Sequence, residues 1–305
     1  MATTHATPPI PTTSVPPSST ARSLVRSAAA ETLRLRLWPA VWVLLGVWLL
    51  LNLTFAYVFN YLAYASGSES FAAEGVPREA LLAGLLPSAV PGLLTNGMPM
   101  FGGAIMLTLG ALAVGSGFGW GTWKTVFTQG PGRATAFGGT LLAVALGVVV
   151  AVGATLALDL AVSSGIAVLE GADAAWPDAV DLARSFGGGL LIMGMWAAVG
   201  ALIGLLTRSP AIAIGLGLVW SLVVENLLRG AAGLLPELAY VTDYLPGTAS
   251  GSLAGAVTEA AGTAAGGSPG VLTVLDGGLA VGVTLAYLVA AVLASVLVVR
   301  RRDIA

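Results

Sequence analysis

Three side chains that could do chemistry stand inside otherwise apolar stretches: Asn52, Asp159 and Glu225. A charged group in hydrocarbon costs several kcal/mol and usually faces a bundle interior or a water-filled path. Asp159 and Glu225 are therefore candidates for a translocation pathway or an outer gate. The alternative is that both are shallow enough to reach headgroups, with Glu225 pairing with Arg229 one turn away. Asn52 carries no charge and can bond across helices, as packing or on the same pathway. Met98, Met100 and Met106 read as adaptable packing rather than a metal path.

Reactive constellations are missing. The one histidine, His5, lies in a Pro/Thr/Ser-rich tail, and there is no cysteine. Disulfides and thiolate metal sites are thereby excluded, and histidine catalysis is nearly so. An intramembrane enzyme would need paired histidines, a Ser/Lys pair or clustered acids, none of which is present. ATP hydrolysis by this chain would need a phosphate-binding G-x-x-x-x-G-K-[ST] loop. Its only lysine, Lys124, follows Trp123 instead of glycine. No metal site, bound cofactor or nucleic-acid partner is expected.

The elements that position these residues are set by composition. Of 305 residues, 56% are hydrophobic and 9% charged, with a mean hydropathy of +0.90, whereas soluble domains carry about 25% charged residues. The apolar runs are long and unbroken, which favours helices over the alternating strands of a membrane barrel. Six segments reach the ~20 residues that cross a bilayer: 38–59, 98–118, 138–163, 186–206, 211–229 and 277–299. The fold class is an all-α integral membrane protein with six transmembrane helices and a short helix between the second and third. Between the fourth and fifth, Thr207, Arg208, Ser209 and Pro210 predict a hairpin, because Pro210 suits a helix start and disrupts an interior.

Charge orients the spans. With the N-terminus inside, the inner side collects Arg22, Arg26, Arg34, Arg36, Lys124, Arg133, Arg208, Arg300, Arg301 and Arg302, ten of the thirteen cations. Arg78, Arg184 and Arg229 fall outside with most of the acidic residues. Lys and Arg favour cytoplasmic loops, so both termini are expected in the cytoplasm. A cleaved signal peptide ending at Ala63-Tyr64-Ala65 is the competing reading. Its apolar stretch is too long for that role, and the segment before it too extended.

Ahead of the first span, residues 1–21 are expected to be disordered. Residues 22–37 fit an interfacial amphipathic helix with arginines near anionic headgroups, or a simple juxtamembrane anchor; residues 38–305 form the six-span domain. In the long loop 60–97, EALLAGLLPSAVPGLL fits a short helix or re-entrant piece. In the loop 230–276, AGAVTEAAGTAAGGSPG is expected to be flexible. Gly102, Gly103 and Gly110, and Gly187, Gly188 and Gly189, would let helices approach closely.

The segment after the second span runs Gly121-Thr122-Trp123-Lys124-Thr125-Val126-Phe127-Thr128-Gln129-Gly130-Pro131-Gly132-Arg133. Trp120 and Trp123 suit the headgroup level. The order predicts a short amphipathic helix broken at Pro131, able to dock in a soluble partner's groove. This segment resembles the E-x-x-x-G-T-…-P-x-x-R pattern of the ABC-2 type permeases, the membrane subunits of many bacterial ABC exporters. Arg301-Arg302-Asp303-Ile304 is similar to a common ending in that family, and the resemblance covers roughly residues 30–305. Two positions depart from it: Gly117 stands where many members carry an acid, and Thr140 where a lysine often begins the third span.

The resemblance implies a permease subunit of an ATP-driven exporter in the inner (cytoplasmic) membrane. Gly121, Thr122, Trp123, Lys124, Val126, Phe127 and Arg133 would contact an ABC ATPase subunit that holds ATP and magnesium. A second permease chain, identical or different, would complete the pathway in the lipid bilayer. A non-transporting scaffold or immunity protein is the alternative reading.

Overall fold

A computed structural model describes residues 20–66, 77–129, 132–262 and 268–301. Among the described residues there are helices and no strands. Six helices are long and apolar enough to cross a bilayer: Pro39–Ser66, Met98–Gly119, Arg133–Glu170, Ala179–Thr207, Pro210–Ala232 and Gly277–Arg301. This is the architecture of a multi-pass membrane protein. Each expected span is present, with extended ends. The third, at 38 residues, is roughly 57 Å long at 1.5 Å per residue, well beyond the ~30 Å hydrocarbon core.

The second and fourth spans form the hub. Their most apolar windows are 67% and 61% buried, against 33% or less for the other four. Lipid tails are as apolar as leucine, so helices in a bilayer associate by close packing of small residues. Gly110 faces the Ala197 carbonyl and Gly200 the Leu107 carbonyl, with no room for a side chain at either. At Gly204 a Cβ would come within 2.9 Å of the Ala111 carbonyl oxygen. Of the expected small-residue contacts, Gly102 meets Trp48, Gly103 meets Trp196, and Gly188 and Gly189 meet Val257 and Met98. Gly187 faces open space. Met98 and Met106 are core residues.

Between the fourth and fifth spans the hairpin forms as expected. Arg208 takes the left-handed conformation at φ 54°, and Ser209 caps the next helix by accepting from the Ile212 amide at 3.4 Å. Pro210 occupies the first turn, where its missing N–H costs nothing.

At the N-terminus, a helix over Thr20–Leu37 lies against the start of the third span. Thr20 and Ala21, expected in the tail, belong to this helix, and residues 1–19 lie outside the described residues. Ser27 Oγ donates to the Ala136 carbonyl at 3.3 Å, and Gly139 leaves space for the Ser27 side chain. Arg34 turns inward: it pairs with Glu31 at 2.7 Å and donates to the Ala113 carbonyl at 2.8 Å. The helix is thus docked on the bundle.

At the opposite end, two segments fold back into the bundle. Arg78–Ala83, a 3-10 turn over Pro87–Ala89 and Val90–Leu94 form a broken helical piece with Val90 and Leu94 fully buried. The second corrects an expectation. The first seven residues of the Gly/Ala/Thr-rich stretch that reads as flexible, 254–260, belong to a helix, Pro246–Ala260, with Ala249, Leu253 and Ala254 in the core. Small residues that would be floppy in water pack closely here, and a buried backbone must satisfy its own hydrogen bonds. Residues 263–267 of that stretch, Gly130 and Pro131 of the predicted helix break, and the ending 302–305 lie outside the described residues.

Candidate functional site

The structure brings two of the pathway candidates together. Asn52 Nδ2 donates to Asp159 Oδ1 at 2.7 Å, joining the first span to the third. Asp159 is fully buried and Asn52 is 4% exposed. Asp159 therefore faces the bundle interior. Asp159 Oδ2 and Asn52 Oδ1 are buried without a partner.

This pair is one rung of a longer seam. Trp48 Nε1 donates to Thr155 Oγ1 at 2.8 Å. Tyr57 shares a hydrogen bond with Ser163 Oγ at 3.1 Å and donates to the Asp159 carbonyl at 3.3 Å. Tyr61 and Tyr64 each donate to one carboxylate oxygen of Glu170 at 2.8 Å, and the Arg78 guanidinium lies 4.8 Å over the Tyr64 ring. Spans one and three run in the same direction, so bonded residues keep a near-constant separation of 106 to 109 along the chain.

One irregularity keeps that register. From Asn52 to Tyr57 the first span advances five residues, while from Asp159 to Ser163 the third advances four. A π-helical turn over Leu53–Val58 absorbs the extra residue. Asn60 Nδ2, donating to the Ala56 carbonyl at 3.0 Å, covers an acceptor within that turn.

Glu225 sits elsewhere and does a different job. It is fully buried, accepting from Trp220 Nε1 at 2.8 Å and from the Gly247 amide at 2.7 Å. Gly247 lies in the first turn of Pro246–Ala260, so the carboxylate meets the positive end of that helix. A side chain at Gly247 would strike Glu225 Oε2. The anticipated pairing with Arg229 is replaced by these two bonds; Arg229 Nη2 donates to Asn226 Oδ1 at 2.7 Å.

Between the second and third spans, residues Thr122–Gln129 form a helix, entered through Gly121 at φ 67°. Trp123 is buried: its ring stacks on Phe127 at 5.2 Å and lies 5.9 Å from Phe137. Its Nε1 donates to the Val114 carbonyl at 3.0 Å. Gly117, where the resemblance leads one to expect an acid, is the residue that admits this indole, since a Cβ there would come within 2.5 Å of Trp123 Nε1. Val126 and Phe127 are half-buried, whereas Gly121, Lys124, Thr125, Thr128 and Arg133 are exposed. Trp123 clusters with Val114, Phe137, Ala201, Leu205 and Val299, so the ends of spans two, three, four and six meet beneath this helix. Trp120, 63% exposed, packs edge-on to Trp38 at 5.4 Å.

No family model and no curated protein matches this chain.

Sequence reasoning named Asn52, Asp159 and Glu225 but missed Trp48, Tyr57, Tyr61, Tyr64, Thr155, Ser163 and Glu170. Their signal was present as polar and aromatic residues recurring at matched intervals in two apolar stretches. It becomes readable only once the two spans are known to be parallel neighbours.

Proposed function

We propose that this chain is the membrane subunit of an ATP-driven exporter of the ABC-2 type, with its ATPase on a separate polypeptide. The observation that carries the reading is the helix Thr122–Gln129. It is short, anchored on one face by Trp123 and Phe127, and open on the other through Lys124, Thr125 and Thr128. An exposed helix on a rigid anchor is the shape that a groove in a soluble partner receives. Lys124, Arg34, Arg208, Arg300 and Arg301 gather at the same end of the bundle, which fits a cytoplasmic face. In the first, fifth and sixth spans no more than 22% of the most apolar window is buried, leaving faces for lipid and for a second permease chain.

The chain lacks cysteine, so single cysteines report cleanly. With Thr125→Cys, co-expressed with a candidate P-loop ATPase, a cross-link to that ATPase and ATP-dependent flux are the expected results. Purification without any ATPase, and no flux on co-expression, would remove the reading. A label that reached position 124 from outside intact cells would do the same.

A further inference from the structure

The N-terminal helix and the first, second and third spans enclose a groove of about 210 Å³. Leu45, Leu109, Leu146, Gly147 and Val150 form its walls, and Arg36 with Thr32 supplies the polar groups of its lining. It spans Ala143 to Ala151 on the third span, roughly 12 Å at 1.5 Å per residue. Leu146 is 46% exposed, Val150 48% and Trp42 55%, so the groove opens sideways, where a spanning helix meets acyl chains.

Two arginines on the N-terminal helix behave differently. Arg34 is held inward by Glu31 and Ala113. Arg36, two residues on and so on another side of the helix, is exposed. Among the described residues no hydrogen bond or ion pair engages its guanidinium. No acidic residue lines the groove. Its rim is shaped by Trp42, whose Nε1 donates to the Arg36 main-chain carbonyl at 2.7 Å.

We propose that this groove holds one acyl chain of an anionic phospholipid whose phosphate sits on Arg36. The apolar walls take the chain, and the free guanidinium takes the phosphate in paired hydrogen bonds. The inference requires only that the chain spans a bilayer, and it stands or falls apart from the transport reading.

The test uses the full chain reconstituted in phosphatidylcholine vesicles. These carry a minority of brominated phosphatidylglycerol, or the same amount of brominated phosphatidylcholine. Bromine quenches nearby tryptophan, and subtracting the signal of Trp42→Phe isolates Trp42. The expected preference for phosphatidylglycerol is about fivefold, the factor matching ~1 kcal/mol for one arginine at an anionic surface. Arg36→Gln should bring it to near parity while keeping the main-chain bond to Trp42. Arg22→Gln should leave it unchanged, because Arg22 lies roughly 21 Å further along the helix. Equal quenching by both lipids, or a preference that survives Arg36→Gln, would overturn the proposal. Absence of quenching by either lipid would mean that protein covers the groove, which also overturns it. A disulfide dimer formed by Val150→Cys would then identify the cover as a second copy.

Discussion

Asn52→Leu, Asp159→Leu and the double variant together test whether the first and third spans are held by a specific polar bond. Asp159 is fully buried; the hydrogen bond to its carboxyl comes from Asn52 at 2.7 Å, and its second oxygen has no partner. Removing Asn52 therefore strands a buried carboxyl, a loss of roughly 1–3 kcal/mol for a polar group and more for a charge. Two considerations set the size. Interhelical hydrogen bonds in membrane proteins average only about 0.6 kcal/mol and reach about 1.7, because the unfolded chain finds other partners in the bilayer. A carboxyl has few alternatives in hydrocarbon, which places this pair near the upper end. Each single variant should lose about 1.5–2 kcal/mol by these magnitudes. At about 2–4 °C per kcal/mol, the apparent unfolding midpoint followed by tryptophan fluorescence in detergent should drop by about 3–8 °C. In the double variant nothing polar is stranded, and apolar replacement of both partners is close to neutral, so the midpoint should recover most of the loss. Additive losses in the double variant, or an unchanged midpoint for Asn52→Leu, would refute the seam as described. The same double variant separates structure from transport: if it is stable and ATP-dependent flux persists, the pair does not belong to the pathway.

Other positions give sharper contrasts. Gly200→Val pushes a side chain into the Leu107 carbonyl and should abolish the monodisperse peak in size-exclusion chromatography, while Gly187→Val, with nothing within 4 Å, should leave it intact. Glu225→Ala breaks the bonds to Trp220 and Gly247, each worth roughly 1.5–3 kcal/mol for a charged acceptor. The expected sign is faster proteolysis around residues 246–260, with Glu225→Gln much milder because it keeps an acceptor. Trp123→Ala removes the anchor of Thr122–Gln129 and should weaken cross-linking from position 125 to the ATPase several-fold. Because it also empties a buried site among Val114, Phe137 and Leu205, at about 3–5 kcal/mol for such a truncation, the unfolding midpoint should fall with it, whereas Lys124→Gln should alter neither the midpoint nor the position of the helix.

The sequence made legible what depends on one stretch at a time. Span number follows from run length and apolar content, and the turn at Ser209-Pro210 follows from capping chemistry. The partly buried helix at Thr122–Gln129 was also local, since Trp123 and Phe127 share a face at a spacing of four. What stayed hidden depended on which spans are neighbours. Asn52 alone says that an interhelical bond is wanted, but Asp159 emerges as its partner only when spans one and three lie side by side. Glu225 was matched to the nearest cation in sequence, Arg229, because its actual donor at Gly247 lies 22 residues away. The Pro246–Ala260 helix was missed for a different reason. Glycine, serine and threonine lower helix propensity in water, but within the bundle Thr258 Oγ1 turns back to the Ala254 carbonyl at 2.9 Å, and the small residues pack into the core.

The distribution of packing bears on how a partner could move this protein. Spans two and four touch through glycines that leave no slack, and protein interiors so packed transmit displacement rather than absorb it. Trp123 ties the helix Thr122–Gln129 to this hub through Val114, Ala201 and Leu205. The first span is attached differently: a line of discrete hydrogen bonds to the third span, interrupted by a π-helical turn, with much of its surface uncovered. Hydrogen bonds spaced along a seam can exchange partners one rung at a time, whereas interlocked backbones cannot. On the proposed reading, force applied at Lys124 and Thr125 would carry spans two and four as one body, and the yielding joint would be the one between spans one and three. Because Trp48 reaches Thr155 through the length of its indole, too far for a direct disulfide, a short bis-methanethiosulfonate bridge between cysteines placed at Trp48 and Thr155 would lock that joint. It should stop ATP-dependent flux without preventing ATPase binding, and restoration of flux by reduction would be the matching control. Full flux in the locked state would show that the working motion lies elsewhere in the bundle.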